Sequence, residues 1–163
     1  GSLGMTMQLP EEDRYIMTRE ELDDRLAVLL GGRVAEEITF NQVSTGAQND
    51  LEKATIMARK MVEDYGMSER VGPISLGAER GARLLMGEYG YSKEINYSEA
   101  TAELIDQEVK KIITGNYDRV KGILEQNKAA MKRIAEVLLD KETLEGADFR
   151  ALLEEYRSGR QAV

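Results

Sequence analysis

The chain has 163 residues, 42% of them hydrophobic and 32% charged, with a formal net charge of −8 and neither histidine nor cysteine. The length suits one domain, and the acid excess disfavours phosphate backbones, so nucleic acid is not an expected partner. The missing residue types exclude a Ser-His or Cys-His nucleophile pair, a zinc finger, a thiol redox motif and any disulfide.

The alternation Met5-Thr6-Met7-Gln8-Leu9 before Pro10 has the period of a strand. Thr18-Arg19-Glu20-Glu21 is a capping box, and the helix it opens places Leu22, Leu26, Leu29 and Leu30 on one face. Gly31-Gly32 interrupts that pattern, but Arg33 to Ile38 keeps the helical period, so one continuous helix with close packing at the glycines is expected. Asn41 to Gly46 reads as a loop, and a second helix follows from about Ala47 to Tyr65, with Leu51, Ala54, Ala58, Met61, Val62 and Tyr65 inward and Gly66 as its left-handed stop. From Gly66 to Tyr97 the chain is glycine-rich and irregular, with only Ile74-Ser75-Leu76 resembling a strand.

The remainder is helical. Asn96 or Ser98 caps a long helix carrying Ile105, Val109, Ile112, Ile113, Tyr117, Val120, Ile123 and Leu124. Asn127 restarts the pattern with Met131, Ile134, Ala135, Leu138 and Leu139, and a last helix from about Gly146 to Tyr156 buries Phe149, Leu152 and Leu153. The fold class is therefore mainly α, with a short β-strand at the N-terminus. Residues 1–2 read as a cloning remnant, 3–156 as the domain and 157–163 as a frayed tail. The longest apolar run, Leu26 to Leu30, is far short of the ~20 residues a membrane span needs.

Three places could carry chemistry. In Ser44-Thr45-Gly46-Ala47-Gln48-Asn49-Asp50, Asp50 is either an acidic residue at the positive end of a helix or a carboxylate ligand to a metal completed elsewhere. Glu36 and Glu37 are adjacent on a helix, where side chains point about 100° apart, so at least one is expected in solvent. The strand Met5 to Leu9, if it lies at an edge, could accept an extended peptide.

The order of "LGMTMQLPEEDRY", "LLGGRVAEEI", "VSTGAQNDLEKAT", "MVEDYGMSERVGP" and "KETLEGADF" resembles the peptidase domain of FtsH-type proteases, from about Leu3 to Tyr156. These are membrane-anchored, ATP-dependent zinc metalloproteases with an AAA+ module. The resemblance implies that Asp50 matches the aspartate that completes a Zn2+ site begun by two histidines of a His-Glu-x-x-His helix. It also implies that Glu36 lies near that metal helix, and that Met5, Thr6 and Met7 form the edge strand along which substrate lies. Neither histidine nor the general-base glutamate between them is present, so the chain alone is expected to be inactive and without bound Zn2+. It is further expected to self-associate or to be less stable than the intact domain, because the absent helix would cover apolar surface. ATP and Mg2+ belong to the AAA+ module. The implied setting is a homo-hexamer acting on unfolded or membrane proteins, anchored in the bacterial inner membrane through other segments, with the peptidase domain in the cytoplasm. The alternative is a non-catalytic helical scaffold or assembly module in which Asp50 serves only to start a helix.

Overall fold

The computed structural model describes residues 16–76 and 97–160. The expected strand around Met5, Thr6 and Met7 lies outside these residues, as does the glycine-rich stretch 77–96. Among the described residues five α-helices follow one another: α1 (Arg19–Phe40), α2 (Gln48–Glu63), α3 (Glu99–Gln126), α4 (Lys128–Lys141) and α5 (Gly146–Arg160). A single 3-10 turn, Thr45–Ala47, leads into α2. No strand occurs among the described residues, so the architecture they define is helical. None of these helices is long and apolar enough to cross a membrane.

The helix α1 opens as its sequence requires. Glu21 N–H donates to Thr18 Oγ1 at 3.3 Å, and Thr18 N–H donates to Glu21 Oε2 at 2.7 Å. Each side chain thereby satisfies a backbone donor that the first helical turn leaves without a partner. The helix runs unbroken through Gly31 and Gly32, but among the described residues the close packing expected there is not found: a Cβ built at either glycine meets none of their atoms within 4 Å. Continuity comes instead from the buried stripe Leu22, Leu26, Leu30 and Val34, one residue per turn on the face away from the glycines.

Leu22, Leu26 and Leu30 of that stripe pack with Ala54, Ala58, Met61 and Val62 of α2 and Ile105 and Val109 of α3, and α1, α2 and α3 each touch the other two. Polar staples flank this core. Asn116 Nδ2 donates to Asp23 Oδ1 at 2.9 Å, Arg119 Nη2 to Asp24 Oδ1 at 2.6 Å, and Lys121 Nζ to Glu37 Oε1 at 3.1 Å. Both chain directions are closed off by local signals. Gly66 after α2 has φ +60°, and Ser98 before α3 accepts a hydrogen bond from Thr101 N–H at 3.2 Å.

The helices α4 and α5 pack on each other, and α4 alone of the two meets α3, where it leaves it; neither touches α1 or α2. The consequence is visible in their apolar residues. Only Ala130 of α4 is buried, while Leu138, Leu139 and Phe149 are exposed, contrary to the inward placement their spacing suggests. A two-helix hairpin has one seam, so a stripe wide enough for a three-sided core leaves residues outside it. Tyr65 and Ile123 are likewise exposed. The last helix continues to Arg160, past the expected end near Tyr156.

The segment Ile74 to Leu76 is not a strand. Ile74 N–H donates to the Gly72 carbonyl at 2.9 Å and Leu76 N–H to the Glu63 carbonyl at 2.6 Å, which ties the segment to a turn and to the end of α2. Three residues behind Gly72 and Pro73 have no described strand beside them with which to form a ladder.

Candidate functional site

The site is built around the entry to α2. After α1 ends at Asn41, in the left-handed conformation with φ 51°, the chain turns back alongside the last turns of α1. There the Glu36 carboxylate meets Ser44. It accepts the Ser44 backbone N–H at 3.1 Å and the Ser44 hydroxyl at 2.9 Å. The same hydroxyl oxygen accepts Gly46 N–H at 3.0 Å, which caps the 3-10 turn Thr45–Ala47. One turn earlier on α1, Arg33 Nη1 donates to the Ser44 carbonyl at 3.5 Å. Both peptide groups of Ser44 are therefore held by side chains of α1. The cap of α2 is supplied one turn upstream, since Ala47 at the N-cap position has no side chain that could do it.

Two hydrogen bonds to the charged form hold Glu36 below the ordinary carboxylate range, the Ser44 backbone N–H contributing most and the Ser44 hydroxyl next. Partial burial opposes this, and Arg33 reinforces it. The expectation that one of the paired glutamates is simply solvated is not met: Glu36 grips Ser44, and Glu37 pairs with Lys121 of α3. Their different directions around the helix let each reach a different neighbour.

Asp50 stands in the first turn of α2, with its side chain 47% exposed. Its one described partner is Lys53 Nζ at 3.9 Å, too far for a strong bond. This carboxylate faces the positive end of the helix dipole and keeps its oxygen lone pairs available. A Zn2+ ion takes carboxylate oxygens at ~2.0–2.2 Å, so Asp50 fits one corner of such a site. Among the described residues no group of three or more His, Cys, Asp or Glu could hold a metal ion. Met5, Thr6 and Met7 lie outside the described residues.

A second polar cluster closes the far end of α2. Ser68 and Glu108 are both buried, and Ser68 Oγ donates to Glu108 Oε2 at 2.7 Å while accepting Val71 N–H at 3.2 Å. Arg70 Nη1 donates to Gln107 Oε1 at 3.1 Å and lies 3.4 Å from Glu108 Oε1. The Ser68 hydroxyl is the main cause of the lowered Glu108 pKa, with Lys111 and Arg70 adding to it against the cost of burial. Alongside, Arg59 Nη1 donates to Glu63 Oε1 at 3.0 Å and Nη2 to Asp106 Oδ1 at 3.0 Å. The sequence contains "GMSERVGP" in plain view, but its role as a tie to α3 shows only in the folded chain. The roles of Ser44 and Arg33 likewise show only in the folded chain, because they depend on the loop after α1 turning back alongside that helix.

The arrangement is a helical domain in which α2 starts with an accessible carboxylate, Asp50, after a loop that side chains of α1 hold at Ser44. The family model for Peptidase family M41 matches residues 1–152, and the chain belongs to that family. Among curated proteins it is 49% identical to the ATP-dependent zinc metalloprotease FtsH of Syntrophobacter fumaroxidans, over 96% of this chain and 24% of that protein. The FtsH proteins of Thermotoga maritima and Bacillus subtilis are 48% and 46% identical over 94% and 93% of the chain, covering 25% and 24% of their own lengths. The chain thus spans about a quarter of the length of these relatives.

Proposed function

We propose that this chain is part of the proteolytic domain of an ATP-dependent zinc endopeptidase, and that Asp50 is the acidic ligand of its Zn2+. The observation that carries the reading is the Asp50 carboxylate itself. It is solvent-accessible, has among the described residues no closer partner than Lys53 at 3.9 Å, and sits in "TGAQND" at the start of α2 in a member of Peptidase family M41. A merely structural acid at this position needs only the helix end. An acid left open on the surface beside a braced loop also suits a ligand waiting for the rest of its set.

The chain contains no histidine, so on this reading the histidine ligands of the site are not supplied by these 163 residues. When bound, Zn2+ supplies a polarising centre for water and the substrate carbonyl. This chain's own part is to deliver one anionic oxygen and to hold the helix that carries it. Glu36 supports that helix entry, and Met5, Thr6 and Met7 are the proposed edge along which an extended substrate lies. The substrates fitting this reading are unfolded and membrane proteins. The assembly is a homo-hexamer anchored in the bacterial inner membrane with its peptidase layer in the cytoplasm, and ATP and Mg2+ act in its AAA+ module.

Metal analysis and casein digestion test this directly. The chain alone should bind no stoichiometric zinc and leave casein intact, whereas the whole polypeptide that carries it should bind zinc and cleave casein. In that polypeptide Asp50→Asn should abolish proteolysis and weaken zinc retention. Undiminished zinc binding and casein cleavage by the Asp50→Asn protein would sink the assignment.

A further inference from the structure

Among the described residues, the contacts of α4 and α5 are mostly with each other. Only α4 meets α3, at the joint between them, and neither helix touches α1 or α2. Among the described residues α4 buries only Ala130, and α5 buries none. The seam between the two helices is an open groove, in which Val137, Leu144 and Leu152 share the lining with six charged side chains. The bundle of α1, α2 and α3 is built otherwise, with Leu26, Leu30, Met61, Val62 and Ile105 fully buried. Apolar burial, the main stabilising contribution, is therefore concentrated in that bundle. We propose that the α4–α5 hairpin opens as a unit of its own, hinged at Asn127, while the three-helix core stays folded.

Local contacts set the limits of this unit. At its start Asn127 lies at φ −112° and ψ 19°, outside the helical range, so α3 and α4 do not form one continuous rod. Asn127 Nδ2 donates to the Ile123 carbonyl at 2.8 Å, and its N–H lies 3.2 and 3.1 Å from the Ile123 and Leu124 carbonyls. These bonds close the last turn of α3 without any residue of α4, so an opening that begins in α4 stops there. At the far end Glu142 N–H donates to the Leu138 carbonyl at 2.8 Å, and Phe149 N–H to the Glu145 carbonyl at 3.0 Å. The segment "KETLEGADF", which has no part in the proposed zinc site, is thus the turn that closes the hairpin. Within it Glu142 holds a left-handed φ of 62°, unfavourable for a residue with a Cβ. The inference does not depend on the reading of Asp50, because neither helix touches α2. Elements that move in proteins are drawn from such low-stability parts.

Native-state hydrogen exchange of the 163-residue chain, in urea well below its unfolding midpoint, tests this. Amides of α4 and α5 should exchange together, about a hundredfold or more faster than those of Leu30, Met61 and Val109, yet slower than in an unfolded chain. Leu152→Ala should speed exchange in α4 and α5 alike by roughly tenfold and leave the core within about threefold of its original rate. Val137→Ala, on the other side of the seam, should do the same. Glu142→Gly, which suits the left-handed conformation, should slow exchange in the hairpin about threefold and leave the core unchanged. Equal protection of hairpin and core, whether high or low, would overturn the proposal. So would a Leu152→Ala or Val137→Ala chain whose core and hairpin speed up by the same factor. Fast exchange reaching back past Ile123 into α3 would overturn the hinge at Asn127.

Discussion

The hydroxyl of Ser68 and the carboxylate of Glu108 form a buried 2.7 Å hydrogen bond across 40 residues of chain. It joins the turn after α2 to the middle of α3, and Val71 N–H shares the same hydroxyl. A hydrogen bond to a charged group contributes about 1.5–3 kcal/mol net, and more is lost when the charge stays buried without its donor. Ser68→Ala should therefore destabilise the chain by about 2 kcal/mol in urea unfolding, with unchanged helix content by circular dichroism. A loss below about 0.5 kcal/mol would mean that Arg70 alone satisfies Glu108.

The same pair makes stability depend on acid. Glu108 and Glu36 both have folded-state pKa values below the ordinary 4.5. In the unfolded chain these groups bind protons first as pH falls, so the stabilisation is full above about pH 4.5 and is lost as pH drops through the folded values. Urea midpoints measured from pH 7 down to pH 3 should fall on the acid side. Glu108→Gln should lie lower at pH 7 and show a shallower acid limb, since it has no proton to take up there. A parallel displacement of the whole curve would assign the acid dependence to other carboxylates.

Glycines in the same chain should respond in opposite ways. At Gly66, φ is +60° and an added Cβ would stand 3.0 Å from the Pro73 Cα, which is backbone and cannot yield cheaply. Gly66→Ala should cost about 1–2 kcal/mol from the left-handed conformation alone. Gly32→Ala, mid-helix and facing open space, should stabilise by roughly 0.5–1 kcal/mol. Thermal melts of the two variants should move in opposite directions.

Leucines also divide by position. Leu26 is fully buried between the three core helices, and Leu26→Ala should cost about 2–5 kcal/mol through lost burial and the cavity left behind. Leu139, 85% exposed on α4, should tolerate alanine within about 0.5 kcal/mol. Equal losses from both would show that the α4–α5 hairpin is packed far more tightly than its surface indicates.

The local grammar of the chain was legible before any coordinates. Thr18-x-x-Glu21 opens α1, Ser98 opens α3, Asn127 divides α3 from α4, and Gly66 stops the chain after α2, because caps and glycine conformations depend on residues within one turn. Asp50 too was singled out at the sequence level, through its motif. What periodicity could not reveal is how much of an apolar stripe finds a partner. Leu26 and Leu139 obey the same spacing rule, yet one has two helices against it and the other faces outward.

From the sequence alone come the helical class, the boundaries set by caps, the absence of histidine and the choice of Asp50 as the residue to watch. Only the tertiary structure pairs Glu36 with Ser44, Glu37 with Lys121 and Ser68 with Glu108. The physical reason is range. Helix starts and stops are decided by hydrogen bonds a few residues long, whereas the bracing of a carboxylate depends on which helix faces happen to meet.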